Sequence, residues 1–560
     1  MTAMLLLEYS LHGLESLYAF LDSRREAVNS HFQSTEPAFL ILSTAIVTAF
    51  GLRLLSRLIY GEGFVPNIRR GILARLRNAP IVRIYVKKQL DKVALDIERS
   101  LNKHYANAKF ILELPQKSWT PEEILAEMAR NDSMCKLEWK KGCVSGAIYS
   151  ENDERLEAMM TQVFRIHLRS NPLHSDVFLG VRKMEAELIR WCCNLFHGGP
   201  ESCGSVASGG TESLLLACKS YRDYAFSAKG IVYPEMIVPV TAHAGFDKAG
   251  QYLRIKVIPI PVDPKTMTVN VKKMEAAITR NTIMLVGSCP QFPHGAIDPI
   301  EQISELGVKY GVPVHVDACL GGFLVAFMED AGFPLRPFDF RLPGVTSISA
   351  DTHKYGYSPK GSSVIMYREQ KFHHCQFTVT TDWPGGVYCT PTVSGSRAGA
   401  VTACTWASLL YYGRQGYVDA TRKIIATARD IVARVSEVPG IYVIGSPDTS
   451  VVAIGSREFD IFQLMEKLTH LRGWNLNPLQ YPAGFHLCVT LLHVSEKVAD
   501  RFVNDVRELT AEIMKDPPKP STGQAAIYGM AQSLPDRTVV EDLARAYIDS
   551  CYSTRYLADS

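Results

Sequence analysis

Short apolar runs alternate with amphipathic helical patterns through the middle of this chain. The runs Met236–Val240, Ile283–Gly287 and Val312–Val316 have the length and composition of buried strands. Between the last two, Pro299–Tyr310 has the spacing of a helix with one apolar face. Strands that alternate with helices form mainly parallel sheets covered on both faces. The sequence therefore predicts an α/β fold for a large domain, which we place at residues 145–416.

The hydrophobic pattern changes near Gly416. A helix with Ile424, Ile431 and Val435 on its apolar face leads into shorter segments, of which three are predicted strands and two are predicted helices. The strands are Tyr442–Ile444, Val451–Ile454 and Phe485–Leu491, and the helices are Phe459–Leu471 and Val494–Ile513. This mixture predicts a smaller α+β domain, and we assign residues 417–560 to that domain and its tail.

An uncharged apolar run near the amino terminus predicts a membrane anchor. Pro37–Leu52 contains 16 residues. As a helix it would be about 24 Å long, against a hydrocarbon core of about 30 Å. Continuation to Ile59 supplies the missing turn if Arg53 and Arg57 lie near the interface, where long basic side chains snorkel. The alternative is a buried core helix. We place a transmembrane helix at residues 37–60, after a lumenal segment at residues 1–36 that lacks the basic start and the cleavage site of a signal peptide.

The segment after the anchor is strongly basic. By the positive-inside tendency, the basic residues between Arg69 and Lys88 predict that this side of the membrane, with all that follows, is cytosolic. A helical pattern covers Val86–Tyr105, and Thr120 is followed by a proline and two acids, which is typical of a helix start. We therefore predict a helical arm at residues 61–144.

Composition narrows the possible functions. A chain of 560 residues exceeds a single core, so two or more domains are expected. The net charge of +3, from 60 basic and 57 acidic residues, argues against nucleic acid as the main partner. The 13 cysteines include no CxxC pair, which indicates neither a metal site nor a disulfide framework and favours a reducing compartment.

Lys354 has the most unusual neighbourhood of any lysine in the chain. It lies in the stretch SADTHKYGYSPKG, after a predicted buried strand and before the irregular backbone imposed by Gly356, Pro359 and Gly361. An ordinary lysine has a pKa of about 10.4, so reaction with a carbonyl requires that the amine be held in place and partly desolvated. Lys354 is therefore the candidate for imine chemistry. The alternative is a solvated charge at a strand end.

Three further features lie at the carboxyl ends of predicted strands or in the turns beside them, where open α/β sheets bind ligands. The glycine turn Ser208–Glu212 precedes an apolar helix and is either a phosphate-binding turn or a simple helix cap. Asp317 ends its strand and is either a partner for a pyridinium nitrogen or a turn residue. His243 either stacks on a planar ring or faces solvent in a loop.

The order of these features resembles the fold-type I pyridoxal-phosphate enzymes, and within them the group II decarboxylase branch, over roughly residues 145–510. The resemblance implies the fold-type I transferase fold and pyridoxal 5'-phosphate as cofactor. It implies that Lys354 binds the cofactor covalently, that Asp317 pairs with the pyridine nitrogen and that His243 stacks on the ring. The residues it assigns to the cofactor phosphate are Ser208, Gly210, Thr211 and His353.

Other motifs resemble one family within that branch, the sphingosine-1-phosphate lyases. They are VSGAIY at Val144–Tyr149, SNPLHSDVF at Ser170–Phe178, YSPKG with Lys360, and VSGSRAG at Val393–Gly399. The resemblance assigns substrate phosphate binding and ring positioning to Tyr149, Asn171, His174 and Lys360. It assigns Ser394, Gly395 and Ser396 to contacts with the phosphates of a neighbouring subunit in a homodimer. The alternatives are packing or turn roles for Tyr149 and Asn171, and a solvated loop charge or a cofactor-phosphate contact for Lys360.

The reaction implied by the resemblance is retro-aldol cleavage of a phosphorylated sphingoid base, such as sphingosine 1-phosphate, to a long-chain aldehyde and phosphoethanolamine. The location implied is the endoplasmic reticulum membrane, with the catalytic part in the cytosol. The general base is left open between Lys360, a histidine and the substrate phosphate. Two other functions are weighed: an amino-acid decarboxylase of the same fold, and a membrane scaffold without catalysis. The glycine turn lacks the GxGxxG spacing of a nicotinamide site.

Overall fold

The computed structural model describes residue 48 and residues 80–102, 110–134, 137–515 and 537–554. The chain divides into two compact units, one formed by residues up to 120 and from 534 onward, the other by residues 121–533. The predicted lumenal segment 1–36 and, apart from residue 48, the predicted transmembrane helix 37–60 lie outside the described residues. Within the described ranges, no helix combines the length and the apolar character that a membrane crossing requires.

The first unit contains two helices that pack against each other, Pro80–Asn102 and Arg537–Cys551. The first of them corresponds to the predicted helix Val86–Tyr105 but begins earlier. The second comes from the carboxyl-terminal tail, so the described part of that tail belongs to the same unit as the helix before residue 103.

The second unit is organised around a sheet of seven strands in the order β1-β7-β6-β5-β4-β2-β3. The strands are β1 Cys203–Ala207, β2 Glu235–Pro239, β3 Lys256–Ile260, β4 Thr282–Ser288, β5 Val314–Asp317, β6 Val345–Ala350 and β7 Ser363–Tyr367. β7 is antiparallel to both of its neighbours, and the other pairs are parallel. In β4, Leu285 faces one apolar core and Met284 and Val286 face another, so both faces of the sheet are covered.

Helices alternate with these strands, as predicted. Local sequence sets their ends: the side chain of Asp153 caps Glu154–His167, and Gly311 ends Ile300–Tyr310 in the left-handed conformation. The helices among the described residues of this unit are Pro121–Asp132, Glu154–His167, Leu179–Leu195, Gly210–Lys229, Gly245–Leu253, Val271–Ala277, Ile300–Tyr310, Gly322–Val325, Gln370–Gln376, Gly399–Ser436, Ile461–Arg472 and Glu496–Lys515. Short 3₁₀ helices cover Trp139–Lys141 and Leu491–His493.

Two smaller sheets complete the unit. A hairpin pairs β8 Thr378–Thr380 with β9 Tyr388–Thr390. A four-stranded antiparallel sheet follows in the order β10-β11-β13-β12. Its strands are β10 Tyr442–Val443, β11 Val451–Gly455, β12 Asn477–Leu479 and β13 Gly484–Cys488. Ile461–Arg472 packs on this sheet and on Glu496–Lys515, which gives the α+β arrangement predicted from the sequence.

Two details differ from the sequence-based expectation. The predicted strand Phe485–Leu491 ends at Cys488, because Thr490 caps the 3₁₀ turn Leu491–His493 and turns the chain out of the sheet. The helix Gly399–Ser436 consists of two helical segments joined by a kink at Gly413, whose backbone is not helical, shortly before the point near Gly416 where the hydrophobic pattern changes. The boundary between residues 416 and 417 stays a prediction.

Candidate functional site

The site residues predicted from the sequence follow the carboxyl ends of four strands. Ser208 follows β1, His243 follows β2, Asp317 ends β5, and His353 and Lys354 follow β6. β2, β5 and β6 belong to the parallel part of the sheet, and β1 has the same direction because β1 and β6 are both antiparallel to β7. These strand ends therefore meet at one edge of the sheet, where open α/β folds bind their ligands.

Lys354 forms an ion pair with a buried aspartate. Its Nζ lies 2.8 Å from Oδ2 of Asp351. Burial alone would raise the pKa of Asp351, but the charge of Lys354 and a hydrogen bond from His353 outweigh burial and hold the pKa well below its usual range. Burial alone would lower the pKa of Lys354, but the charge of Asp351, its hydrogen bond with Lys354 and the charges of neighbouring groups, Asp317 among them, together outweigh burial and raise the pKa. Lys354 is thus held as an ammonium ion, which has to lose a proton before the amine attacks a carbonyl.

His353 is oriented by the main chain of the following turn. Its Nδ1 accepts hydrogen bonds from the amides of Gly361 and Ser362, at 3.3 and 3.1 Å. Because Nδ1 accepts, the ring proton lies on Nε2, which is 3.5 Å from Oδ2 of Asp351. The imidazole therefore offers an N–H donor beside the lysine.

The glycine turn leaves space at the same place. A Cβ added to Gly210 would lie 2.8 and 2.9 Å from the carboxylate oxygens of Asp351, and one added to Gly209 would lie 3.4 Å from the ring of His353. Any side chain at Gly210 would fill this space. Gly210 and Thr211 begin the helix Gly210–Lys229, where amides without helical partners and the positive end of the helix dipole favour an anion. The turn and His353 together provide the donors that a phosphate monoester requires.

Asp317 has no basic partner in the part of the chain that the structure describes. It is buried, and its Oδ1 accepts a hydrogen bond from the amide of Cys319 at 3.0 Å. A buried carboxylate normally has a cationic partner, which a protonated pyridine nitrogen would supply. Oδ1 of Asp351 is also buried and has no hydrogen-bond partner among the described residues. The residues present therefore fit pyridoxal phosphate.

Lys360 lies beside this centre, on the ring of Tyr149. Its Nζ is 4.7 Å from the ring centroid and donates a hydrogen bond to the carbonyl of His353 at 3.2 Å. Tyr149 is buried against Tyr355, with ring centroids 4.9 Å apart. Burial, and then the charge of Lys354, lower the pKa of Lys360. The structure thus brings Lys360 and Tyr149 together with the Lys354 turn.

The predicted segments around Asn171 and Ser396 meet within one chain. Nδ2 of Asn171 donates to Oγ of Ser396 at 3.1 Å, and Oδ1 of Asn171 accepts from the amide of Arg397 at 3.1 Å. Ser394 and Gly395 lie on the same segment. The imidazole of His174 is exposed, and its main-chain amide donates to the carbonyl of Asn171 at 3.0 Å.

The structure places His243 at the end of β2 with an exposed ring. Its Nδ1 accepts a hydrogen bond from the amide of Gly245 at 3.0 Å, which leaves the proton on Nε2. Among the described residues, no hydrogen bond or ring contact joins the His243 side chain to Lys354 or Asp317.

The contacts of three residues near the site were not predicted from the sequence. Asp351 had a signal, since it is a carboxylate at a strand end three residues before the lysine. Cys319, whose Sγ is 3.1 Å from Oγ of Ser349, follows Asp317 by two residues but looks like an ordinary core thiol. Glu212 binds the amide of Val393, 181 residues away, and no local pattern predicts a contact of that separation.

Comparison with known proteins agrees with this architecture. The pyridoxal-dependent decarboxylase conserved domain matches residues 161–454, a range that contains the whole seven-stranded sheet. The glutamate decarboxylase of Lactobacillus brevis superposes with a TM-score of 0.62 at 19% identity, over 72% of this chain and 95% of its own, and shows the shared fold alone. The fold and the site thus define a protein of the pyridoxal-dependent decarboxylase class, and the predicted α/β fold with a mainly parallel sheet is confirmed.

Within that class, relatives of high identity identify one family. The sphingosine-1-phosphate lyase of Drosophila melanogaster is 49% identical over 94% of this chain and 97% of its own. The lyase of Saccharomyces cerevisiae is 38% identical over 94% of this chain and 91% of its own. The solved structure of the Burkholderia pseudomallei lyase superposes with a TM-score of 0.69 at 37% identity, over 74% of this chain and 99% of its own. The chain belongs to the sphingosine-1-phosphate lyase family.

Proposed function

We propose that this protein is a pyridoxal-phosphate-dependent lyase that cleaves phosphorylated sphingoid bases, such as sphingosine 1-phosphate, in sphingolipid degradation. The products are a long-chain aldehyde and phosphoethanolamine. The observation that carries the proposal is the pair of lysines at one strand end, Lys354 on Asp351 and Lys360 on Tyr149. One lysine serves the cofactor, and the second cation suits a second phosphate, which the substrate of an amino-acid decarboxylase need not carry. Membership of the lyase family supports the same conclusion.

The residues of the site have separate tasks in this proposal. Lys354 would carry the cofactor, and the amides of Gly210 and Thr211 would hold its phosphate together with the N–H of His353, once that N–H turns from Asp351 to the phosphate. Bound there, the cofactor would supply an electron sink for cleavage of the C2–C3 bond of the substrate. Asp317 keeps the pyridine nitrogen protonated, which that electron flow requires.

The substrate phosphate needs its own donors. It carries up to two negative charges near neutrality, and each charge-assisted hydrogen bond contributes roughly 1.5 to 3 kcal/mol. Lys360 is placed for this role beside Lys354, and the exposed imidazole of His174 is the second candidate. Tyr149 supports the Lys360 ammonium through its ring, and Asn171 orders the loop that carries His174.

A homodimer is part of the proposal. The helix Pro121–Asp132 has no buried residue, and its apolar side chains Ile124, Leu125 and Met128 are 46%, 62% and 53% exposed. An amphipathic helix with an uncovered apolar face gains stability against a partner surface. We propose that a second copy covers it, and that Ser394, Gly395 and Ser396 approach the phosphates of that copy.

A single-pass anchor at residues 37–60 in the endoplasmic reticulum membrane, with the catalytic part in the cytosol, is also proposed. It rests on the apolar run and the basic segment that follows it. Deletion of residues 1–60 should give a soluble, active protein. Truncated protein that still sediments with membranes after an alkaline wash would contradict the anchor.

The reaction itself is tested with two substrates. Purified protein given a phosphorylated and an unphosphorylated long-chain amino alcohol should release fatty aldehyde from the first alone. The control is Lys354→Ala, which should abolish both turnover and the cofactor adduct that borohydride fixes on the protein. Release of carbon dioxide from amino acids, without aldehyde from the phosphorylated base, would favour the decarboxylase instead.

A further inference from the structure

The carboxylate of Glu212 joins the glycine turn to a segment far away in the sequence. Oε2 of Glu212 accepts from the amide and the hydroxyl of Ser208, at 2.7 and 2.6 Å, and Oε1 accepts from the amide of Val393 at 2.9 Å. Glu212 is only 9% exposed. A carboxylate this buried is costly to leave without hydrogen-bond partners, and these three hydrogen bonds satisfy it.

The segment that Glu212 reaches is Val393–Arg397, here called the serine loop because it carries Ser394 and Ser396. Its other end is fixed as firmly. Nη2 of Arg397 is 3.1 Å from Oε2 of Glu185, and both side chains are mostly buried. The amide of Arg397 donates to Asn171. The serine loop is thus attached at both ends, and Glu212 is the attachment on the side of the glycine turn.

The same contacts limit what Ser208 can do. Both of its donors, the amide and the hydroxyl, point to Glu212, so neither is free for a phosphate. The glycine-turn pattern and the family resemblance both placed Ser208 at the cofactor phosphate. The geometry gives it a different task, which is to hold Glu212.

We propose that Glu212 is a positioning residue of the phosphate site, which fixes the serine loop and the glycine turn against each other, and that Ser208 acts through Glu212 without touching phosphate. The proposal rests on the proposed cofactor. It holds whether the serine loop serves the phosphate of its own chain or that of a partner, because every copy carries the same Glu212. Glu212→Gln replaces one acceptor oxygen by an NH₂ group, which leaves an amide of Ser208 or Val393 facing a donor.

The test compares pyridoxal phosphate with pyridoxal, which lacks the phosphate. Apoprotein is titrated with each, and the absorbance of the lysine-bound cofactor gives both dissociation constants. In Glu212→Gln, affinity for pyridoxal phosphate should fall at least about tenfold, the equivalent of one charge-assisted hydrogen bond, while affinity for pyridoxal stays within about twofold. The matched control is Glu305→Gln, an exposed glutamate on the helix Ile300–Tyr310.

The outcomes are distinct. A wild-type protein that binds the two compounds equally would contradict the proposed function. If the wild type prefers pyridoxal phosphate and Glu212→Gln keeps the same preference, the role of Glu212 is overturned. An equal loss of affinity for both compounds in Glu212→Gln would also overturn it. Ser208→Ala is the second variant. It should lower the affinity for pyridoxal phosphate by less than about threefold, and a tenfold loss specific to the phosphate would show that Ser208 binds the phosphate directly.

Discussion

The ion pair of Lys354 and Asp351 sets the protonation state on which attachment of the cofactor depends. Burial lowers the pKa of Lys354, but Asp351, through its charge and its hydrogen bond, makes the main contribution among the groups that together outweigh burial and raise the pKa. In Asp351→Asn, burial remains and the opposing charge is gone, so the pKa of Lys354 should fall below that of the wild type. The neutral amine then becomes available at lower pH. The rate at which apoprotein binds pyridoxal phosphate should increase as Lys354 loses its proton. We expect this increase to occur at a lower pH in the variant than in the wild type, and absorbance measured between about pH 6 and pH 10 follows the rate.

The exposed Asp430→Asn is the control, because that carboxylate lies outside the site and pairs with Arg434 on its own helix. In this variant, the rate of pyridoxal phosphate binding should depend on pH as it does in the wild type. A profile for Asp351→Asn that is unchanged, or displaced to higher pH, would contradict the role assigned to Asp351.

Lys360 separates a lyase from a decarboxylase of the same fold. If its ammonium binds the substrate phosphate, Lys360→Ala should keep the absorption spectrum of the bound cofactor and lose at least about tenfold in kcat/KM, since 1.4 kcal/mol is a factor of ten. The pKa of Lys360 is lowered by burial and then by Lys354, so the charge is lost as pH rises through a value below that of an ordinary lysine. Lys360→Arg stays charged and should extend activity to higher pH. Normal cleavage by Lys360→Ala, or loss of the cofactor in parallel with activity, would exclude this role.

At the scale of elements, the kink in the helix Gly399–Ser436 depends on one glycine. Gly413 has φ 55° and ψ 178°, and an added Cβ would meet no atom within 4 Å. Gly413→Ala should therefore destabilise the protein by about 1 to 3 kcal/mol through backbone strain alone. Gly180, in the helix Leu179–Leu195, is the matched control, because an added Cβ there also meets open space but no positive φ is involved. Gly180→Ala should stabilise by up to about 1 kcal/mol. Denaturant titration measures both, and equal effects would show that the kink does not require glycine.

The elements also show how far the sequence could predict the structure. β6 was predicted before Lys354, because Val345, Ile348 and Ala350 lie in a short run of small and apolar residues without a charge. Each of Asp317 and Lys354 comes at or just after the end of its own predicted strand. That was enough to propose that they share a site, because parallel strands end at the same edge of a sheet. The contact of Glu212 with Val393 could not be predicted, because it depends on how a distant loop folds back.

At the scale of the whole molecule, the open question is which chain a serine loop serves. Within one chain the loop is attached to Asn171 and Glu212. Family resemblance assigns Ser394 and Ser396 to the phosphates of the neighbouring subunit, and the exposed apolar face of Pro121–Asp132 supports the presence of such a neighbour. Both statements hold if the loop is anchored on its own subunit and extends to the next one.

Complementation between two inactive variants distinguishes the arrangements. One variant is Lys354→Ala; the other replaces Ser394 and Ser396 by Asp, whose charges repel a phosphate. If the loop crosses to the partner, a mixed dimer contains one site with two defects and one site with none, so activity returns when both variants are expressed together. If the loop serves its own chain, each site in the mixed dimer carries one defect, and activity stays absent.

We expect activity to return, up to about a quarter of the wild-type value for random pairing, because half of the dimers are then mixed and each has one intact site. Each variant expressed alone is the control. Size-exclusion chromatography with light scattering shows that dimers form, so that absence of activity in mixed dimers would count against the shared site and not against assembly.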